Sequence, residues 1–163
     1  MEYKIKDCSN ILLSYYRDGL YTLFIMDMQK KIVHIMDPLP DDACYKGYDQ
    51  IMPYIATFHT IAKRFSLAMK LINSKWDGNI YYWKRIFPAC VTKVPKHKDW
   101  KLGGYLIYNF MKSWDGVRLP PINTLSNSLR MEFLGDILKS HANECFDNFP
   151  EDLQAMIKDL DRM

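Results

Sequence analysis

The stretch LYTLFIMDMQKKIVHIMDP, residues 20–38, decides the fold. From Tyr21 to Asp27 and from Ile32 to Met36 it concentrates β-branched, aromatic and long aliphatic residues. The polar Gln29-Lys30-Lys31 between these runs reads as a turn, so the segment predicts a β-hairpin. Asp37-Pro38 ends it, because proline offers no backbone N–H to a ladder. Immediately upstream, Ile11 to Tyr15 is a further strand candidate, joined to the hairpin through the turn signal Arg17-Asp18-Gly19.

Downstream the pattern changes period. Residues 40–50 are a loop rich in Pro, Asp and Gly. Beyond it Ile51, Tyr54, Ile55, Phe58, Ile61, Ala62, Phe65, Met69 and Ile72 recur at helical spacing. That is an amphipathic helix with one buried stripe, ending near Asn73. The Asp77-Gly78-Asn79 turn leads to a second β-rich stretch, Ile80 to Trp83 and then Arg85 to Val94, with Pro88 marking an edge or bulge. Between Gly104 and Trp114, apolar groups occur on every side of the helical wheel, which predicts a buried central helix stopped by Gly116. After Pro120-Pro121, Leu125, Leu129, Phe133, Ile137 and Leu138 predict another amphipathic helix. Pro150 opens a last one through Leu153, Met156, Ile157 and Leu160, within a C-terminal helical segment 146–163. Strands, helix, strands, buried helix and flanking helices make an α+β domain. At 163 residues, one domain spanning 1–163 is expected.

Composition narrows the function classes. With 48% hydrophobic and 25% charged residues the chain has enough apolar material for a core. Its 22 basic and 19 acidic residues are dispersed, a balance that gives no support to a nucleic-acid partner. The densest basic patch, Lys93, Lys96, Lys98 and Lys101 around Trp100, reads as a solvated loop. Cys8, Cys44, Cys90 and Cys145 form no CxxC pair and have no histidines at ligand spacing, so neither a structural zinc nor any cofactor is expected. The start MEYKIKDCSN lacks the apolar core of a secretory signal, and no apolar run approaches the ~20 residues that span a bilayer. The expected location is cytoplasmic or nuclear, with no membrane span.

Three segments resemble a known family. Residues 20–38 look like the strand pair of ubiquitin-like-protein (SUMO-type) cysteine proteases, where His-Trp opens the first strand and Asp closes the second. GGYLIYNFMKSWDG, residues 103–116, is similar to the family's helix that carries the nucleophilic Cys. LRMEFLGDILKSHANEC, residues 129–145, resembles the closing segment of the plant, transposon-associated branch. The resemblance implies a papain-like mixed sheet packed around a buried central helix. Carried over position by position, the catalytic His falls on Leu20, the following Trp on Tyr21 and the orienting Asp on Asp37. The oxyanion-stabilising Gln falls on His97 and the nucleophile on Gly103. Only Asp37 survives. About ten residues precede Ile11, where the family has substrate-holding helices, so the resemblance implies a copy truncated at its N-terminus.

Those losses decide the chemistry. Cleavage in this class needs a thiolate, and Gly103 has no sulfur. Leu20 can neither accept nor donate a proton, so acid-base catalysis is lost independently. Cys90 and the other cysteines read as packing residues, His97 as a solvated loop histidine, and Asp37 as a strand-end residue that closes a turn.

The function expected is therefore that of a catalytically inactive, protease-like interaction module. It would bind a protein partner or a second copy of itself, with Tyr21 and Trp100 as interface candidates. The 14% aromatic content suits an interface and a core equally. A ubiquitin-like protein is one conceivable partner, since the family clamps an extended tail beneath the residue matching Tyr21. The alternatives are a residual or rebuilt cysteine hydrolase, using Cys90 or His97 and acting on ubiquitin-like conjugates, and a toxin, antidote or immune component that acts by seizing a host protein.

Overall fold

The computed structural model describes residues 8–38, 52–88, 100–140 and 146–159. Its contacts divide the chain into two compact units, residues 1–121 and 122–163.

The first unit is built on a sheet with strand order β1-β2-β3-β4 among the described residues: β1 (Asn10–Arg17), β2 (Leu20–Asp27), β3 (Ile32–Met36) and β4 (Lys84–Ile86). The first three strands are antiparallel neighbours, and β3 pairs with β4 in parallel. Local chemistry fixes the register. Arg17 pairs with Leu20 across a two-residue turn in which Asp18 and Gly19 have φ of 53° and 82°. Positive φ at both positions is the geometry whose twist matches that of the flanking strands, and Asp-Gly adopts it readily. The β2–β3 turn runs from Asp27 to Ile32 and places Lys31 at φ 55°. There the buried Asp27 carboxylate accepts the backbone N–H groups of Gln29 (3.1 Å) and Lys30 (2.8 Å), satisfying donors that the ladder leaves free.

A parallel neighbour requires a crossover. It is made through α1 (Ile55–Ile72), which follows a 3-10 turn at Met52–Tyr54. The middle of the stripe read from the sequence is buried: Phe58, Ile61 and Ala62 join Phe24, Met26, Val33, Ile35, Ile80 and Trp83 in one hydrophobic core, and Met69 is buried further along, but Ile55 and Ile72 at the helix ends are exposed. Phe24 and Phe58 stack with ring centroids 6.4 Å apart.

The expected strand from Ile80 to Trp83 is instead a 3-10 turn, Ile80–Tyr82. Asn79 overrides the β-propensity of these residues. Its Oδ1 accepts the Tyr81 N–H at 3.0 Å, while its carbonyl accepts from Tyr82 and that of Ile80 from Trp83. The strand that follows is the short edge β4, and Phe87 and Pro88 lie beyond it. The remainder of that expected strand, through Val94, lies outside the described residues.

The opposite face of the sheet is covered by α2 (Gly103–Ser113), which packs on β2 and is entered through a 3-10 turn, Trp100–Leu102. The sequence predicts a helix apolar all round, but α2 buries one side only. Gly103, Leu106, Ile107, Asn109 and Phe110 are buried, whereas Met111 and Lys112 face solvent. Gly116, at φ 93°, turns the chain after it. With a helix on each face, β2 is buried from Thr22 to Asp27 on both sides, which is why its sequence shows a continuous apolar run rather than alternation.

The second unit contains α3 (Ser126–Lys139), a 3-10 turn at Phe146–Asn148, and α4 (Glu151–Asp159), with α3 and α4 in contact. Among its described residues, Leu129 and Ile157 are the buried side chains. Pro150 precedes α4 and its carbonyl accepts the first helical N–H, from Gln154. The molecule is thus α+β, with a mixed four-stranded sheet and four α-helices among the described residues.

Candidate functional site

Tyr21, the second residue of β2, lies on the face that α2 covers. Its ring lies between two different neighbours. On one side is Tyr16, its cross-strand partner, with ring centroids 4.6 Å apart. On the other is the start of α2, where a methyl group placed on Gly103 would meet the Tyr21 ring at 3.6 Å and one on Gly104 at 3.4 Å. The positions matched to the protease family's Trp and nucleophile are therefore in contact. Both distances are ordinary van der Waals separations, so packing does not demand glycine at either place.

Leu20 and Asp37 lie elsewhere. Strand alternation gives Leu20 the face opposite to Tyr21, and no Leu20 atom lies within 4 Å of the methyl position on Gly103. Asp37 follows the end of β3. Its Oδ2 accepts the Tyr54 hydroxyl at 2.7 Å, and the Tyr54 ring packs on Phe87 at 5.6 Å. Asp37 thus ties the end of β3 to the entry of α1 through a tyrosine. Neither the turn-closing role nor the orientation of an imidazole accounts for that bond. Trp100 begins the turn that enters α2, and nothing further is described of its side chain. His97, Cys44, Cys90 and Cys145 lie outside the described residues, and Cys8 is half-buried before β1.

What the α2 face does hold is a set of buried polar groups that sequence reasoning missed. His34, in the middle of β3, is buried and packs its ring on Trp114 at 5.0 Å. Among the described residues, neither His34 Nδ1 nor Trp114 Nε1 has a hydrogen-bond partner. Burial pushes the His34 pKa below the usual histidine value, and Lys30 adds to this while the Asp27 carboxylate opposes it. Burial would raise the Asp27 pKa, but the hydrogen bonds and charge of Lys30 and the Gln29 N–H outweigh it and hold the carboxyl below its ordinary range. Lys30 Nζ sits 3.2 Å from Asp27 Oδ2. Asn109, buried in α2, donates from Nδ2 to the Tyr105 carbonyl at 3.1 Å. The sequence signal for His34 was slight: one polar residue inside an apolar strand.

Chemically, the start of α2 presents helix N–H groups beside an aromatic ring, without a thiol or imidazole among the side chains described there. Among the described residues no group of three or more His, Cys, Asp or Glu could hold a metal ion. No described helix is long and apolar enough to cross a membrane.

A concavity lies between α1 and the Asn79–Tyr82 turn. It is an open cavity of about 530 Å³ whose walls include Lys63, Leu67 and Lys70 of α1 and Asn79, Tyr81 and Tyr82 of the turn. Its sequence signal was available but is one of omission: no Asp or Glu occurs between Asp49 and Asp77. Compared with known proteins, the chain matches no protein-family model, no curated protein and no solved structure.

Proposed function

We propose that the chain is a catalytically inactive relative of the SUMO-type cysteine proteases, with a papain-like arrangement of sheet and helix, that acts by binding a protein. The observation that carries this reading is the contact between Tyr21 and the Gly103-Gly104 start of α2. These positions are distant in sequence, and the family likeness matches them to an aromatic lid and a nucleophile. A glycine at 103 leaves that corner an aromatic surface without a thiol, and the leucine at 20, on the other face of β2, brings it no imidazole. Since a methyl group at 103 meets only ordinary contacts, loss of a cysteine there is not forced by the fold.

The test is thiol reactivity. In the native chain all four cysteines should react slowly and at similar rates with an electrophilic probe at neutral pH. Gly103→Cys should introduce one faster site, because a helix N-terminus stabilises a thiolate. Leu20 lies on the opposite face of β2, so adding Leu20→His should leave that rate unchanged, whereas Tyr21→His, at the position whose side chain reaches Gly103, should accelerate it. Rapid labelling of one native cysteine would refute the inactive reading. An unchanged rate on adding Tyr21→His would refute the reading of this corner as a degenerate protease site.

A further inference from the structure

We propose that the groove between α1 and the Asn79–Tyr82 turn is a docking site for an acidic peptide segment of a partner protein, one that alternates carboxylates with aliphatic or aromatic side chains. This rests on the reading that the chain works by binding, and it places the contact away from the Tyr21 corner.

Three observations converge on that ligand. The first is charge. From residue 50 to residue 76 the chain carries Lys63, Arg64, Lys70 and Lys75 and no acid. Lys63 and Lys70 line the cavity, and among the described residues neither forms an ion pair with a carboxylate. Two unneutralised ammonium groups two helical turns apart on one face create a local positive potential that a carboxylate-bearing strand or helix would complement.

The second is apolar exposure on the same stripe. Leu67 lies between the two lysines and is 57% exposed, Leu71 follows one turn later at 89%, and Tyr82 on the opposite wall is 82% exposed. Aliphatic and tyrosine side chains flanked by cations can anchor apolar partner residues while the rim selects charge. A phosphate backbone would satisfy the lysines but give Leu67 and Leu71 no apolar counterpart, which is why a peptide is the better match than a nucleic acid.

The third is order. Tyr81 packs edge-on against His59 at 5.7 Å and against Tyr82 at 5.6 Å, and the turn is locked by Asn79. The walls are therefore positioned before a ligand arrives, which reduces the entropy lost on binding.

The experiment is fluorescence anisotropy of the full chain with a short labelled peptide alternating Asp or Glu with Leu and Phe. Three controls accompany it: a peptide with Ser in place of Leu and Phe, a single-stranded oligonucleotide, and light scattering of the protein alone. Lys63→Glu/Lys70→Glu should weaken the acidic-apolar peptide by about tenfold or more, and Leu67→Ser should weaken it several-fold, with circular dichroism unchanged. Equal binding of the Ser peptide, tighter binding of the oligonucleotide, or indifference to the charge reversal would overturn the proposal. So would a dimer that the charge reversal dissolves, since the occupant would then be a second copy. If the peptide fails while the native cysteines label slowly, only the groove is lost. If one native cysteine labels rapidly, the inactive reading itself falls.

Discussion

The two faces of β2 are both dry, yet they are filled with different chemistry. Toward α1, Phe24 and Met26 meet Phe58, Ile61 and Ala62 in a mainly apolar cluster, and the buried polar side chains on this side are the hydroxyls of Thr22 and Thr57. Toward α2, the sheet and helix enclose Asp27, His34 and Asn109 beside Leu23, Ile25, Leu106 and Phe110. An all-apolar layer maximises the area removed from water and asks only for shape. A layer containing polar groups must satisfy each of them, and here His34 Nδ1 and Trp114 Nε1 have no hydrogen-bond partner among the described residues, as is also true of Trp76 Nε1 beside the α1-side core. The α1 face is thus the stabilising half of the first unit. The α2 face carries the features that stability alone does not explain: a buried histidine whose Nδ1 has no hydrogen-bond partner among the described residues, and a glycine pair under a tyrosine ring.

The largest effect expected from this contrast is at Phe58. It is 1% exposed, stacks on Phe24 and lies under the Arg85 guanidinium at 5.7 Å. Phe58→Ala should destabilise the chain by about 3–5 kcal/mol. Leu106→Ala, on the α2 face, should fall near the lower end of the ~2–5 kcal/mol range for buried Leu truncations. Denaturant midpoints of the two variants measure the difference, and a larger loss for Leu106→Ala would reverse the assignment of roles.

Next in size is Asp27. Asp27→Ala removes the acceptor for two turn N–H groups and should cost about 2 kcal/mol, while Asp27→Asn, which keeps an oxygen, should cost less than half of that. Lys30 is largely exposed, so its ion pair should contribute little, and Lys30→Ala should shift stability by no more than about 0.5 kcal/mol.

The same face governs pH dependence. His34 has a folded pKa below the ordinary ~6.5, so below that pH the unfolded chain binds the proton more readily and stability falls with acid. Asp27 has a folded pKa below its ordinary ~3.9. Its contribution is therefore complete at neutral pH and is lost as pH falls through the acid range toward the folded value. Unfolding followed from pH 8 to pH 3 should show a decline that starts near ~6.5 and steepens below ~4. His34→Phe should remove the first part and leave the second. If the first part persists in that variant, the histidine facing Trp114 is not its source.

How much of this was legible beforehand differs between the faces for the same reason. The α1 face was readable because periodicity encodes it: Phe58, Ile61 and Ala62 recur at helical spacing, and the turn residues Asp18 and Gly19 fix a register. The β2 and β3 limits were readable because both strands are bounded by turn chemistry. Ile80–Tyr82 misled because three β-prone residues followed an asparagine whose side chain closes a turn, and a local hydrogen bond outweighs a weak propensity. At the candidate site, the sequence named Tyr21 and Gly103 but could not place them in contact, since contact between a strand start and a helix start is a tertiary fact. The partnership of Asp37 with Tyr54, seventeen positions apart, has no local signature. The groove on α1 was easily overlooked for the opposite reason: its signal is the absence of acids over one amphipathic helix, and the polar side of a helix is ordinarily just a solvated surface.

The smallest effect is the most discriminating, because it concerns the glycines themselves. Glycine within a helix costs up to about 1 kcal/mol relative to alanine, less near the first turn, through the backbone freedom it gives up on folding. Gly103 and Gly104 occupy the first two positions of α2, and a methyl group at either finds the Tyr21 ring at contact distance rather than in collision. Gly103→Ala should therefore leave the fold intact and raise stability by a few tenths of a kcal/mol up to about 1 kcal/mol. Gly104→Ala, whose methyl sits closer to the ring, should gain less or break even. A gain at Gly103 would mean that the α2 start is more open than stability prefers, as expected of a surface kept for contact with something else. A clear loss would mean that Tyr21 needs the space, and the corner would then be an extension of the core, no different in kind from the α1 face.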